Sequence, residues 1–246
     1  LQIASLTDLG LERSRNEDSH FVKAENDLAL LVVADGMGGH QAGDVASSLA
    51  VSAAETFWNN LNHNAALNPE EARQAVYDMI IEANKLVILE ASNSPSKRGM
   101  GTTFTAGLLC GNHLTIGHVG DSRAYMINKR NIKQLTKDHS LLEKLIDSGE
   151  VKPEEAKIHP QRHVLTRAIG IDEDLEIDIF EQQLEKETAL LFCTDGLTNL
   201  VSDDEILSGC LEQPDPQILV ESFIDLAKKR GGHDNITVIV ASGIGG

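Results

Sequence analysis

Residues 28–34 read Leu-Ala-Leu-Leu-Val-Val-Ala and stop at Asp35-Gly36. A run this short and uniformly apolar fits a β-strand buried on both faces, because successive side chains point to opposite sides and neither side meets water. The pattern returns at residues 189–193, just ahead of Asp195-Gly196. Residues 103–109, 114–119, 123–127 and 236–240 also read as strands, with Gly111-Asn112 a hairpin turn between the first two. The strands come in neighbouring runs and do not alternate one for one with helices. An antiparallel, layered α+β fold is therefore expected in preference to a doubly wound parallel sheet.

Helical spacing appears over residues 42–61, where Val45, Leu49, Ala53 and Phe57 recur at four-residue steps. It appears again from Pro69, which suits a first helical turn behind Asn68 as cap and leads into the apolar stripe Ala72, Val76, Met79, Ile80 and Leu86. These two helices are expected to cover one sheet face. A third, from residue 215 or 216 to 229, ends at Gly231-Gly232 and is expected to cover the other side with Ile218, Phe223 and Leu226 inward. No repeat, low-complexity tract or linker breaks the 246 residues, of which 41% are hydrophobic, so one domain over 1–246 is expected.

The chain carries 38 acidic against 21 basic residues, a formal charge of -17, and no basic stripe. Binding to a nucleic-acid backbone is disfavoured. Cys110, Cys193 and Cys210 are far apart and form no Cys-x-x-Cys pair; Cys110 and Cys193, within apolar runs, read as buried free thiols, which points to a reducing, cytoplasmic address. No apolar stretch is long enough for a membrane span and no signal-peptide pattern opens the chain. A monomer is the default.

The acids are placed in an informative way. Asp35, Asp121 and Asp195 each follow an apolar strand, and Asp234 comes just before one. If the strand at 236 runs antiparallel to the others, all four carboxylates reach the same sheet edge. Like charges gathered there raise one another's pKa unless cations offset them, and all-oxygen ligands suit hard divalent ions such as Mg²⁺ or Mn²⁺. Asp-Gly is also a common turn pair, so neither Asp35-Gly36 nor Asp195-Gly196 alone carries this reading. In the loop Asp35-Gly36-Met37-Gly38-Gly39-His40 the glycines allow close backbone approach to an ion or oxyanion. The Lys-Ser/Thr of a P-loop is missing and the Rossmann glycine spacing fails, so a nucleotide turn is a poor reading.

In chain order these residues fall into eight short motifs. They are Thr7-Asp8-Leu9-Gly10 with Arg13; Asn16-Glu17-Asp18; Val33-Ala34-Asp35-Gly36-Met37-Gly38-Gly39-His40; and Met100-Gly101-Thr102-Thr103. Then come Gly117-His118-Val119-Gly120-Asp121-Ser122-Arg123; Asp138-His139-Ser140; Thr194-Asp195-Gly196-Leu197; and Gly232-His233-Asp234-Asn235-Ile236-Thr237. Together they resemble the PP2C family of metal-dependent protein Ser/Thr phosphatases, in particular its compact bacterial members.

The resemblance implies a four-layer αββα sandwich, two antiparallel sheets flanked by helix pairs, with a small flap at about 138–170. It implies a centre of two Mn²⁺ or Mg²⁺ ions, with a third, weaker ion in bacterial relatives. Carried over, Asp35 bridges the two metals, Asp195 and Asp234 bind one and the Gly36 carbonyl the other, while Glu17 and Asp18 hold metal-bound waters. Asp121 with Asp195 matches the third site, and Arg13 matches the phosphate-binding arginine, whose planar fork suits a phosphoryl group. The implied reaction is hydrolysis of phosphoserine or phosphothreonine by direct attack of water activated between the cations, with no phosphoenzyme.

Animal members carry a histidine directly after Asp-Gly; here Met37 stands there, and His40 becomes the first candidate for general acid. His118 and His139 read as mainly structural, and Arg162, His163 and Arg167 as residues a phosphopeptide could meet. Implied partners are phosphorylated Ser/Thr proteins and a cognate Ser/Thr kinase. The competing reading is a non-catalytic PP2C-like module that binds a phosphoprotein; loss of a metal ligand would signal it, and every ligand is present. A haloacid-dehalogenase-type hydrolase would need an Asp-x-Asp-x-Thr that the chain lacks.

Overall fold

The computed structural model describes residues 1–38, 42–63, 67–152, 155, 159–161 and 163–244. Two antiparallel sheets make the centre. The first orders its strands β1 (Gln2–Asp8), β11 (Ile236–Ser242), β10 (Ala189–Cys193), β7 (Arg123–Ile127) and β8 (Ile132–Gln134). The second runs β2 (Asp18–Glu25), β3 (Leu28–Met37), β5 (Phe104–Cys110), β6 (His113–Val119) and β9 (Asp178–Gln183), with the short β4 (Gly101–Thr102) paired to the end of β3. The two residues Gly111 and Asn112 do connect β5 to β6, with Gly111 at φ +61°.

The uniform apolar run of β3 has a direct cause. Leu30, Val32 and Ala34 face the helices on one side, whereas Ala29, Leu31 and Val33 face the other sheet. β11 divides the same way, with Ile236, Val238 and Val240 under helices and Ile239 and Ala241 between the sheets. Phe192 of β10 crosses that interface so closely that a Cβ on Gly107 would lie 2.4 Å from its ring.

α1 (Gly43–Asn60) and α2 (Pro69–Asn93) cover the second sheet. Asn68 and Glu71 form a capping box at the start of α2, each side chain accepting from the other's backbone N–H at 3.0 and 2.9 Å. α4 (Asp195–Thr198), α5 (Asp203–Glu212) and α6 (Pro216–Lys229) lie against the first sheet. α3 (Leu141–Asp147) stands apart, in the flap segment.

Two helix faces differ from the expectation. α1 buries Ala46, Ala50, Ala53, Ala54 and Trp58, and Val45, Leu49 and Phe57 flank that stripe, because small residues let the helix approach the sheet closely. In α6, Ile218 is 48% exposed, and Leu219, Val220, Phe223, Ile224 and Ala227 form the buried face. β1, β2, β8, β9 and α5 carried no strong sequence signal: the edge strands are half polar, and α5 has only Ile206 fully buried.

Candidate metal centre

The strand directions bring the acids together. β11 is antiparallel to β10, so Asp234 at its start lies beside Asp195 just past the end of β10. β3 and β6 both pair antiparallel with β5 and so end at the same edge, carrying Asp35 and, two residues past β6, Asp121. Arg13, Glu17, Gly36 and these four aspartates all line one cavity of about 980 Å³ where the two sheets end. Asp18 lies behind them, opposite Asp35 in the β2–β3 ladder. His40 falls outside the described residues, as does Arg162.

Hydrogen bonds fix several of these acids, or the turns that carry them. The Asp35 N–H donates to Thr103 Oγ1 (2.9 Å), which shares a hydrogen bond with Ser122 Oγ (2.7 Å), coupling the Asp35 turn to the residue after Asp121. Asp18, 7% exposed, accepts from the Thr194 and Thr237 hydroxyls at 2.8 and 2.7 Å through Oδ2. Asp195 Oδ2 accepts from the Asn199 amide at 3.0 Å. Glu17 accepts from the Gly43 N–H at the start of α1. Gly36 permits this closeness: a Cβ there would lie 2.0 Å from the Gly43 carbonyl oxygen and 2.6 Å from that of Glu17.

Asn235 organises the rest. Its side-chain oxygen accepts from the Glu17 N–H (2.8 Å), and its amide donates to the Leu9 and Arg15 carbonyls (3.0 and 2.9 Å). One buried residue thus shapes the loop that carries Arg13 and Glu17, next to Asp234. Sequence reasoning assigned Asn235 no role; the signal was an amide directly after a candidate ligand at a strand start. Arg123 was missed likewise. It holds Asp138 bidentately, Nε at 2.9 Å from Oδ1 and Nη2 at 2.6 Å from Oδ2.

Electrostatics follow from the crowding. Burial, then Asp18, Asp195, Asp121 and Asp234, push the Asp35 carboxyl well above the usual range. Burial lifts Asp18 to about 7 against the pull of its two hydroxyl donors, and lifts Asp121 as well, with Asp195 and Asp138 adding. For Arg13, burial acts to lower the pKa, but Asp234, bonded at 2.8 Å, together with Glu17 and Asp35 raises it overall. His118 and His139 belong to the scaffold. Burial pushes His118 down to about 3, so it is neutral, and its Nε2–H donates to the Lys137 carbonyl (3.0 Å), while His139 Nδ1 accepts from the Gly120 N–H (3.1 Å).

These residues fit a divalent ion. Asp18 Oδ1 and Asp195 Oδ1 are buried acceptors with no donor among the described residues. An orphaned carboxylate oxygen in such a setting costs free energy that a cation or an ordered water offsets. The donors are all oxygen, which suits Mg²⁺ or Mn²⁺ better than zinc. Among the described residues no group of three or more His, Cys, Asp or Glu side chains is gathered closely enough to hold a metal ion by itself.

The molecule is thus a helix-flanked antiparallel sandwich with an oxygen-lined candidate cation site where both sheets end. The sequence matches the Protein phosphatase 2C family over residues 12–224. It is 38% identical over 235 residues to the serine/threonine phosphatase stp of Listeria welshimeri, covering 95% of this chain and 92% of that one. The fold superposes with a TM-score of 0.91 on the serine/threonine phosphatase Stp1 from Staphylococcus aureus, at 33% identity over 98% of this chain and 94% of that one. It superposes at 0.83 on the catalytic domain of the phosphatase PstP in complex with two manganese ions, at 36% identity over 98% and 97%. The chain belongs to the Protein phosphatase 2C family.

Proposed function

We propose that this chain is a protein serine/threonine phosphatase that hydrolyses phosphoserine and phosphothreonine at a Mn²⁺ or Mg²⁺ centre. The observation that carries the reading is the meeting of Asp35, Asp121, Asp195 and Asp234 with Arg13 in one cavity, among orphaned carboxylate oxygens. Asp35, the Gly36 carbonyl, Asp195 and Asp234 would hold two ions, with Asp121 and Asp195 available to a third. When bound, the cations offset charge on the phosphoryl oxygens and lower the pKa of an attacking water.

This chain's residues do the rest. Arg13 keeps its charge, and its fork has N–H donors beyond the one given to Asp234, so it can orient a phosphoryl group and offset its charge. Glu17 and Asp18 hold and orient waters at the edge of the centre. His40 is the proposed proton donor to the leaving serine or threonine oxygen. Partners are phosphorylated Ser/Thr proteins and a cognate kinase, met by a cytoplasmic monomer; no helix among the described residues is long and apolar enough to cross a membrane.

The test is hydrolysis of a phosphothreonine peptide with Mn²⁺, Mg²⁺ or chelator, beside Asp195→Ala. Turnover that needs the cation and disappears in the variant is the expected result. A folded chain that binds the phosphopeptide but does not turn it over under any cation would replace this reading with the binding module.

A further inference from the structure

Part of the same cavity is built differently. Leu142 and Ile146 of α3, Leu165 and Leu200 line it, each half-buried, so apolar surface stays within reach of solvent. A β-bridge between Ser140 and Leu165 fixes the start of α3 to that segment. Two further acids line the same cavity: Glu143 on α3, and the exposed Asp203 at the start of α5.

The described basic side chains nearby are already engaged. Arg123 is taken by Asp138. Lys137 sits 2.5 Å from Asp147 and 3.9 Å from Glu143. His163 lies 3.7 Å from Asp195. Among the described residues Asp203 has no ion pair, and Glu143 has only the distant lysine.

We propose that this part of the cavity is a specificity subsite for a lysine or arginine next to the phosphorylated residue of the substrate. The alkyl stem would lie on Leu142, Ile146, Leu165 and Leu200, and the charged head would meet Glu143 and Asp203. Long basic side chains are the ones that combine an apolar stem with a cationic tip, so one occupant accounts for both halves of the surface. A formal charge of -17 favours approach of a basic peptide to a centre whose phosphate-binding charges are local. The inference rests on the phosphatase reading and names its substrate class.

The experiment compares phosphothreonine peptides that differ only in the residues flanking the phosphothreonine, which are Lys, Leu or Glu, using kcat/KM with Mn²⁺. The expected order is Lys, then Leu, then Glu, with about tenfold between the extremes at low salt and less at high salt, as expected for two solvent-facing charges. In Glu143→Gln/Asp203→Asn the Lys-to-Glu ratio should fall to within about twofold, and because it is a ratio within one preparation, partial loss of folded protein does not affect it. Equal kcat/KM for the three peptides, or a ratio that survives the double substitution, overturns the inference while leaving the phosphatase reading standing. Absence of cation-dependent turnover of the peptides and of p-nitrophenyl phosphate overturns the phosphatase reading, and the inference with it.

Discussion

Replacing Asp18 by asparagine should stabilise the chelated protein near neutral pH, although Asp18 backs the centre directly. Its carboxyl has one oxygen without a donor, and burial pushes it up to about 7 from an ordinary 3.8. A carboxyl that holds its proton more tightly folded than unfolded gives its full contribution below pH about 4. That contribution is lost as pH rises through about 7. A difference of about 3 pH units at about 1.4 kcal/mol each makes the ionised form costly by about 4 kcal/mol. The substituted amide could still accept from the Thr194 and Thr237 hydroxyls, but its N–H₂ would take the place of the orphaned oxygen and cost about 1–3 kcal/mol if unpaired. A net gain of about 2 kcal/mol is expected at pH 8 in chelator, or roughly 6 °C in Tm for a chain of this length. Thermal and urea unfolding with chelator, from pH 4 to pH 8, measure it directly. Toward pH 4 the gain should turn into a loss of about 1–3 kcal/mol, the cost of the unpaired N–H₂ alone, and saturating Mn²⁺ at pH 8 should reverse the order, because the wild type binds it more tightly. A variant no more stable than wild type at pH 8 in chelator, or a gain of the same size at pH 4, would refute the reasoning.

Three other substitutions test the scaffold. Asn235→Ala leaves the Glu17 N–H and the Leu9 and Arg15 carbonyls without their partner, and should cost about 3 kcal/mol in urea unfolding and weaken Mn²⁺ activation; a loss below about 1 kcal/mol would contradict its organising role. Gly36→Ala puts a methyl 2.0 Å from the Gly43 carbonyl oxygen, so calorimetry should find much weaker Mn²⁺ binding in whatever protein folds. Arg123→Met removes the bidentate partner of the part-buried Asp138, leaving it the Gln134 amide at 3.0 Å, and should cost about 2–3 kcal/mol. Most of that should return in Arg123→Met/Asp138→Asn, and an equally unstable double variant would show that the pair is not what holds this corner.

The central strands were legible because burial on both faces leaves a mark in consecutive residues, as in β3 and β11. The capped start of α2 at Asn68 was legible because capping involves residues three apart. The edge strands β8 and β9 were not, since a strand with one wet face and one neighbour needs little apolar content. The inward face of α6 shifted from Ile218 to Leu219 and Val220 because several apolar stripes exist on that helix, and packing chose one. Asn235 and Arg123 were invisible as organisers, since what each holds lies at least 15 residues away along the chain.

The sequence by itself determined which residue types stand at the strand ends, an all-oxygen donor set, and a motif order specific enough to identify the family. The tertiary structure alone decided that Asp195 and Asp234 of one sheet meet Asp18, Asp35 and Asp121 of the other, and that Asp18 is sealed behind them with one oxygen unpartnered. The division has a physical cause. Propensity, capping and burial pattern act over a few neighbouring residues, whereas convergence of charge depends on strand direction and on how two sheets pack.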